Sequence, residues 1–253
     1  MSDARRESRF GVSRETVRRA RTRRLPQDLA ATGEAARAAP DGAPLAPEEF
    51  AAAANVSRET LDRLKAYDAI LLDRAGRHNL VARSTLPDRW RRHFLDSAQL
   101  FPLIPETART LVDLGSGAGF PGLVLAAMGA ERGLRVALVE STGKKAAFLR
   151  EATAAMGLDN VAVIPQRIEN ITISPPDVIT ARALARLDKL LGYAHEIAGK
   201  STLCLFLKGQ DVEDELTEAA KSWHMEATRT ASVTNPGSTV LAIRAVAPRR
   251  ARP

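Results

Sequence analysis

Cysteine is almost missing from this chain: Cys204 is the only one in 253 residues. No internal disulfide can form, and a reducing cytoplasm is the expected setting. No apolar stretch approaches the roughly 20 residues needed to span a bilayer. The N-terminus also lacks the apolar core of a secretory leader. It is Arg-rich, as a mitochondrial presequence would be, but Asp3, Glu7 and Glu15 argue against one. Histidine is scarce and scattered, at 78, 93, 195 and 224, with no zinc-ligand spacing, so no metal site is expected. What is present is ordinary in amount: a hydrophobic fraction of 45% and enough length for a large core in one domain, with or without extensions.

The formal net charge of +7 is unevenly placed. Residues 1 to 24 hold nine arginines against three acids, nearly the whole excess. Such a tail either meets nucleic acid or another polyanion, or is a solvated arm with no specific partner. Residues 27 to 54 are rich in Ala, Pro and Gly, with prolines at 40, 44 and 47. They read as a linker with short Ala-rich helical pieces, completing a flexible extension over 1 to 54.

Val-Ser-Arg-Glu-Thr occurs at 12–16 and again at 56–60, but nothing else repeats, so these are two similar helix starts. After the second copy Ser57 is an N-cap, and Leu61, Leu64, Asp68 and Leu71–Leu72 follow helical spacing with Asp68 as the polar intrusion. Further helical text over 86–101 stops at Pro102 and Pro105. Residues 55–105 thus form a small helical subdomain. From 109 onward short β-type runs at 109–114, 134–139, 161–164, 177–180, 202–207 and 239–246 are separated mostly by helical segments such as 143–156 and 186–198. That alternation predicts an α/β, doubly wound Rossmann-like domain over 106–248, mostly parallel. Asn235-Pro236-Gly237 between the last two runs predicts an antiparallel edge.

The most informative run is Leu111-Val-Asp-Leu-Gly-Ser-Gly-Ala-Gly-Phe-Pro-Gly122. A strand ends near Asp113, glycines alternate at 115, 117 and 119, and Pro121 opens a new apolar stretch. This is the form of a nucleotide-type cofactor cradle. Gly117-x-Gly119-x-x-Gly122 fits a dinucleotide fingerprint, while Asp113-x-Gly115-x-Gly117-x-Gly119 fits a site for S-adenosylmethionine. Glu140, ending the second strand, suits the ribose of either. Asp113 at the strand tip would repel a pyrophosphate and favour a sulfonium, so charge favours the methyl donor.

Acceptor chemistry narrows by what is lacking. Ser174-Pro175-Pro176-Asp177 has neither the leading amide nor the closing aromatic used to hold an exocyclic base amine, and reads as a loop entering a strand. Cys204, the only candidate nucleophile for a pyrimidine carbon, lies in an apolar strand run where a buried inert thiol is expected. A nitrogen with a free lone pair, such as guanine N7, has no proton to lose, so no general base is expected and catalysis rests on alignment.

Taken together, Arg92-His93-Phe94-Leu95-Asp96-Ser97, the 113–122 loop, Asn79-Leu80, Gly143-Lys144-Lys145, Phe148-Leu149-Arg150, Arg167-Ile168-Glu169, Ala181-Arg182-Ala183 and Leu207-Lys208-Gly209 resemble the bacterial RsmG family, also called glucose-inhibited division protein B. The resemblance covers about 55–247. It implies methyl transfer from S-adenosylmethionine to N7 of one guanine in small-subunit 16S ribosomal RNA. It also implies donor contacts from Gly115, Phe120, Ile168, Glu169 and Arg182, to which Gly117 is added from the loop and Glu140 from the ribose consideration. The first 50 or so residues depart from the family pattern, and no family function transfers to them.

An RNA-facing surface is expected from Arg74, Arg77, Arg83, Arg89, Arg91 and Arg92 with His78 and His93, opposed only by Asp88. About half of these are expected on a plain solvated helix face. Arg92, His93 and Lys208 are the substrate-binding candidates, with an Arg92–Asp96 intrahelical pair as the bland alternative for the first. For Arg182 the alternative is a salt bridge to Glu169. Two other classes stay open: a nicotinamide-dependent oxidoreductase, and a non-catalytic RNA-binding ribosome-assembly factor.

Overall fold

The computed structural model describes residues 43 to 75 and 80 to 249. The linker expected over 27–54 is corrected at its end, where Pro47–Ala54 forms a helix, α1. Pro47 opens it where a missing N–H costs nothing, and the Glu49 carboxylate accepts the Ala46 N–H at 2.8 Å. Phe50 is fully buried against Trp90 and Phe94, at ring separations of 5.2 and 6.3 Å. A short Ala-rich helix was allowed for in this stretch; its docking was not, because the partners of Phe50 and Glu48 lie far along the chain.

Helix α2, Arg58–Ala75, starts where expected, the Ser57 hydroxyl accepting the Thr60 N–H at 3.2 Å. Leu61, Leu64, Tyr67, Asp68 and Leu71 share its buried face, whereas Leu72 points outward. Asp68 is buried for a reason: Arg89 grips it through Nε and Nη2 at 2.5 and 2.8 Å, and the Trp90 indole donates to it at 3.0 Å. That clamp docks the segment 90–98 on α2. Its first part, Trp90–Leu95, is a π-helix, in which Trp90 stacks on Phe94 at 4.2 Å.

Strands β1 Thr110–Leu114, β2 Arg135–Val139, β3 Val161–Ile164, β4 Val178–Arg182, β5 Leu203–Lys208, β6 Trp223–Ala231 and β7 Thr239–Pro248 form one sheet in the order β3-β2-β1-β4-β5-β7-β6. The first five are parallel, and β7 runs antiparallel between β5 and β6. The doubly wound expectation holds, with one strand more than anticipated. The Asn-Pro-Gly turn joins β6 to β7, not β5 to β7. Strand β6 escaped notice because it follows the helix Val212–Ser222 without a single intervening residue.

Helices α3 Gly122–Gly129 and α4 Gly143–Ala155 join α2 on one face, around Leu64, Tyr67, Leu123, Leu138 and Leu149. Helices α5 Leu187–Ile197 and α6 Val212–Ser222 cover the other, around Ile179, Leu190, Phe206 and Leu241. The helical segment before β1 shares the first of these cores with the sheet. Central strands β4 and β5, buried on both sides, are near-continuous apolar runs as that position requires. Strand order reverses between β1 and β4, so the loops leaving them part and open a crevice at their C-terminal ends. Among the described residues no helix is long and apolar enough to cross a membrane.

Candidate active site

The glycine loop follows β1 directly into that crevice. Three of its glycines are demanded by the protein itself. A Cβ at Gly115 (φ +64°) would stand 2.5 Å from Leu184 Cδ1, and one at Gly119 (φ +100°) 2.5 Å from Leu123 and 2.9 Å from the Tyr67 hydroxyl. At Gly122 it would run into Leu138 and Asp113. Gly117 (φ +58°) differs, since a Cβ there would meet nothing nearer than the Gly115 carbonyl at 3.7 Å. Below the loop, the Tyr67 hydroxyl donates to the Ala118 carbonyl, tying α2 to the cradle.

Asp113 is not where the charge argument placed it. It is fully buried under the loop, Oδ1 accepting from the Thr180 hydroxyl at 2.8 Å and Oδ2 lying against Gly122 with no hydrogen-bond partner. Burial pushes its pKa up to about 6, against the pull of Thr180. Between about pH 4 and 6 the unfolded chain has therefore released this proton while the folded chain keeps it, so Asp113 makes stability fall as pH rises. Asp113→Asn should then gain on the native chain by about 2 kcal/mol between pH 4 and pH 7. Urea unfolding of both proteins across that range measures the difference; two parallel curves would contradict the buried carboxyl.

Glu140 is the carboxylate that reaches the loop. It ends β2 buried, with Oε2 accepting the Gly117 N–H at 3.0 Å and Oε1 the Thr142 N–H at 2.7 Å. Gly115, Gly117, Glu140, Ile168 and Glu169 line one cleft of about 320 Å³, with Lys145, Arg167 and Tyr193 among the other walls. Glu169 accepts from the Tyr193 hydroxyl at 3.0 Å and makes no bridge to Arg182. Tyr193, Lys145 and Arg167 were missed as cleft residues, since no local pattern marks Tyr193 on α5 as a neighbour of Glu169.

Phe120 and Arg182 lie outside the cleft walls but together. Phe120 is buried, the Arg182 guanidinium sits 5.1 Å from its ring centre, and the next residue, Ala183, lines the cleft. Asp96 pairs with Arg182 at 3.2 Å, and the alternative Arg92–Asp96 pair does not form. The Arg92 side chain is exposed and has no partner among the described residues. His93, expected to face RNA, is instead buried, stacked on Phe120 at 5.1 Å and bonded through both ring nitrogens. Burial, with Arg182 and Arg92 nearby, lowers its pKa to about 3. It is therefore neutral near pH 7.

Lys208 is also corrected. Its side chain is 9% exposed, bonded to Glu215 at 2.6 Å and the Ala185 carbonyl at 3.0 Å. Glu215 in turn accepts the Leu187 N–H at 2.6 Å, so Lys208 anchors the 183–187 loop and is not open to phosphate. Of the expected cation cluster, Arg74, Arg89 and Arg91 pair with Glu151, Asp68 and Asp88. Arg83 and Arg92 remain exposed and unpaired among the described residues. Arg77, His78 and Asn79 lie outside the described residues. Asp177, in the Ser-Pro-Pro-Asp text, links the starts of β4 and β1 by accepting the Arg109 and Thr110 N–H groups at 2.8 and 2.9 Å. Cys204 is 1% exposed, its thiol pushed up to about 12 by burial.

The cleft's donor set suits S-adenosylmethionine. The one loop glycine with room in front of it opens there, and the loop amide a pyrophosphate would need is already held by a carboxylate. The fold has solved counterparts. An O-methyltransferase from Bacillus cereus, solved in complex with SAH, superposes with a TM-score of 0.51 at 19% identity, over 72% of this chain and 91% of that one. A SAM-dependent methyltransferase from Aquifex aeolicus does so at 0.50 and 18%, over 63% and 94%. The chain thus shares the doubly wound fold of these two methyltransferase structures.

Its sequence is more specific. Residues 60–243 match the family model GidB, rRNA small subunit methyltransferase G. A ribosomal RNA small subunit methyltransferase G from Paramagnetospirillum magneticum is 54% identical over 209 residues, covering 83% of this chain and all of that protein. Another from Rhodospirillum centenum is 52% identical over 79% and 91% of the two chains. This chain belongs to the rRNA small subunit methyltransferase G family.

Proposed function

We propose that this protein methylates N7 of a guanine in the 16S RNA of the small ribosomal subunit, in the cytoplasm. The observation that carries the donor side is the Glu140–Gly117 bond at the mouth of the open glycine. S-adenosylmethionine, when bound, supplies a methyl group activated by a sulfonium. Glu140 keeps lone pairs free on both oxygens for ribose hydroxyls, and Ile168 and Glu169 wall the same cleft. Gly115 keeps the loop turned, and Phe120 with Arg182 stands beside the cleft mouth as a further donor contact.

On the acceptor side the chain needs to hold and orient, not to deprotonate. Guanine N7 presents a lone pair without losing a proton, and His93, neutral and engaged at both nitrogens, is not offered as a base. Arg92 and Arg83 are left for RNA phosphate. A nicotinamide cofactor is disfavoured by the carboxylate already seated on the loop amide.

The deciding experiment incubates the protein and tritiated S-adenosylmethionine with small subunits from cells lacking this enzyme, then maps the label by borohydride–aniline cleavage. Label at one guanine N7 in 16S RNA is expected. Label on another atom or RNA would redirect the substrate assignment. Donor binding without any transfer would favour an assembly factor.

A further inference from the structure

The bonds around Arg182 settle a proton as well as a position. Thr85 has a single hydroxyl proton, and it goes to the Ala82 carbonyl at 2.6 Å. Toward His93 Nε2, 2.8 Å away, Thr85 Oγ1 therefore offers a lone pair, and Nε2 carries the ring proton. The other end agrees independently. Arg182 Nη2 lies 3.0 Å from Nδ1, and a guanidinium can only donate, so Nδ1 is the bare nitrogen. Arg182 Nη1 donates to the Arg92 carbonyl and to Asp96 Oδ2, each at 3.2 Å. Nε has no partner among the described residues.

We propose that His93 is a positioning residue for methyl transfer: a neutral acceptor, its tautomer set by Thr85, that fixes Arg182 with Nε free for the donor. This rests on Arg182 being a donor contact, as proposed above. His93 touches neither donor nor RNA; it acts through the arginine. Its own orientation is imposed by the stack on Phe120 and by the π-helical turn that delivers it.

Two substitutions separate its nitrogens. The amide oxygen of His93→Asn can overlie Nδ1 and still accept from Arg182. The outer amide of His93→Gln overlies Nε2, keeping Thr85 and abandoning Arg182. Calorimetry with S-adenosylhomocysteine should find the Asn variant within about threefold of the native affinity and the Gln variant about tenfold weaker. Arg182→Ala should weaken binding by at least about tenfold, and adding His93→Gln to it should change nothing more. Should His93→Gln fail to fold, Thr85→Val, which releases the ring to exchange its proton, enters the same cycle with the same expectation. Equal losses in Asn and Gln, or losses that add in the double variant, overturn the proposal while leaving Arg182 a donor contact. An Arg182→Ala protein with native affinity removes that contact and the positioning role together.

Discussion

Gly117→Val should deprive the protein of its methyl donor while leaving most of its fold in place. Only at this position in the loop does a side chain find open space rather than Leu184, Tyr67 or Asp113. The isopropyl group would fill the region in front of the Glu140–Gly117 bond, where the cleft opens. A left-handed backbone at φ +58° adds a conformational cost of about 1–2 kcal/mol, tolerable within the 5–15 kcal/mol stability of a typical domain. Affinity for S-adenosylmethionine should fall by about 100-fold or more, equivalent to about 2.7 kcal/mol. Calorimetry alongside thermal unfolding reads both quantities. Native affinity in a folded Gly117→Val protein would move the donor away from the loop. Gly119→Val is the contrasting control, since its Cβ would collide with Leu123 and Tyr67, and it should fail by unfolding.

The second large effect is on stability. Tyr67 is completely buried on α2, with Phe94, Phe120 and Phe148 around it at ring separations of 5.3, 5.2 and 6.4 Å. Tyr67→Ala removes the centre of that cluster and should cost about 3–5 kcal/mol, a large part of the total. Tyr67→Phe keeps the ring but leaves the buried Ala118 carbonyl without its donor, at about 1–3 kcal/mol. Urea titration of the two variants separates packing from the hydrogen bond. A loss under about 1 kcal/mol for the alanine variant would mean that α2 and the cradle are not energetically joined.

Much of this architecture was legible in the residues because its signals are local. Ser57 caps α2 as expected, the apolar runs of β1 to β5 are strands, and Pro121 stands at the entry to α3. What escaped depended on partners far along the chain. Phe50 makes a helix of α1 only because Trp90 and Phe94 wait to receive it. Asp68 looked like a flaw in an apolar face until Arg89 and Trp90 reached it. The charge reasoning at the loop favoured the right cofactor through the wrong residue, since the exact depth of Asp113 is set by α3 lying over it. Arg89, Arg91 and Lys208 read as RNA contacts because a sequence shows charge but not the acid that neutralises it.

Asp96 ties Arg182 to the last hairpin of the sheet. One oxygen holds Arg182, and the other accepts from Thr234 at 2.7 Å, while Gln99 bonds Ser232 and the Val233 N–H at 3.2 and 3.0 Å. Loop closure across such distances comes late in folding, after nearer contacts have formed. The carboxylate that holds Arg182 is thus itself steadied by the final hairpin, and a chain without residue 234 would leave Asp96 anchored on one side only.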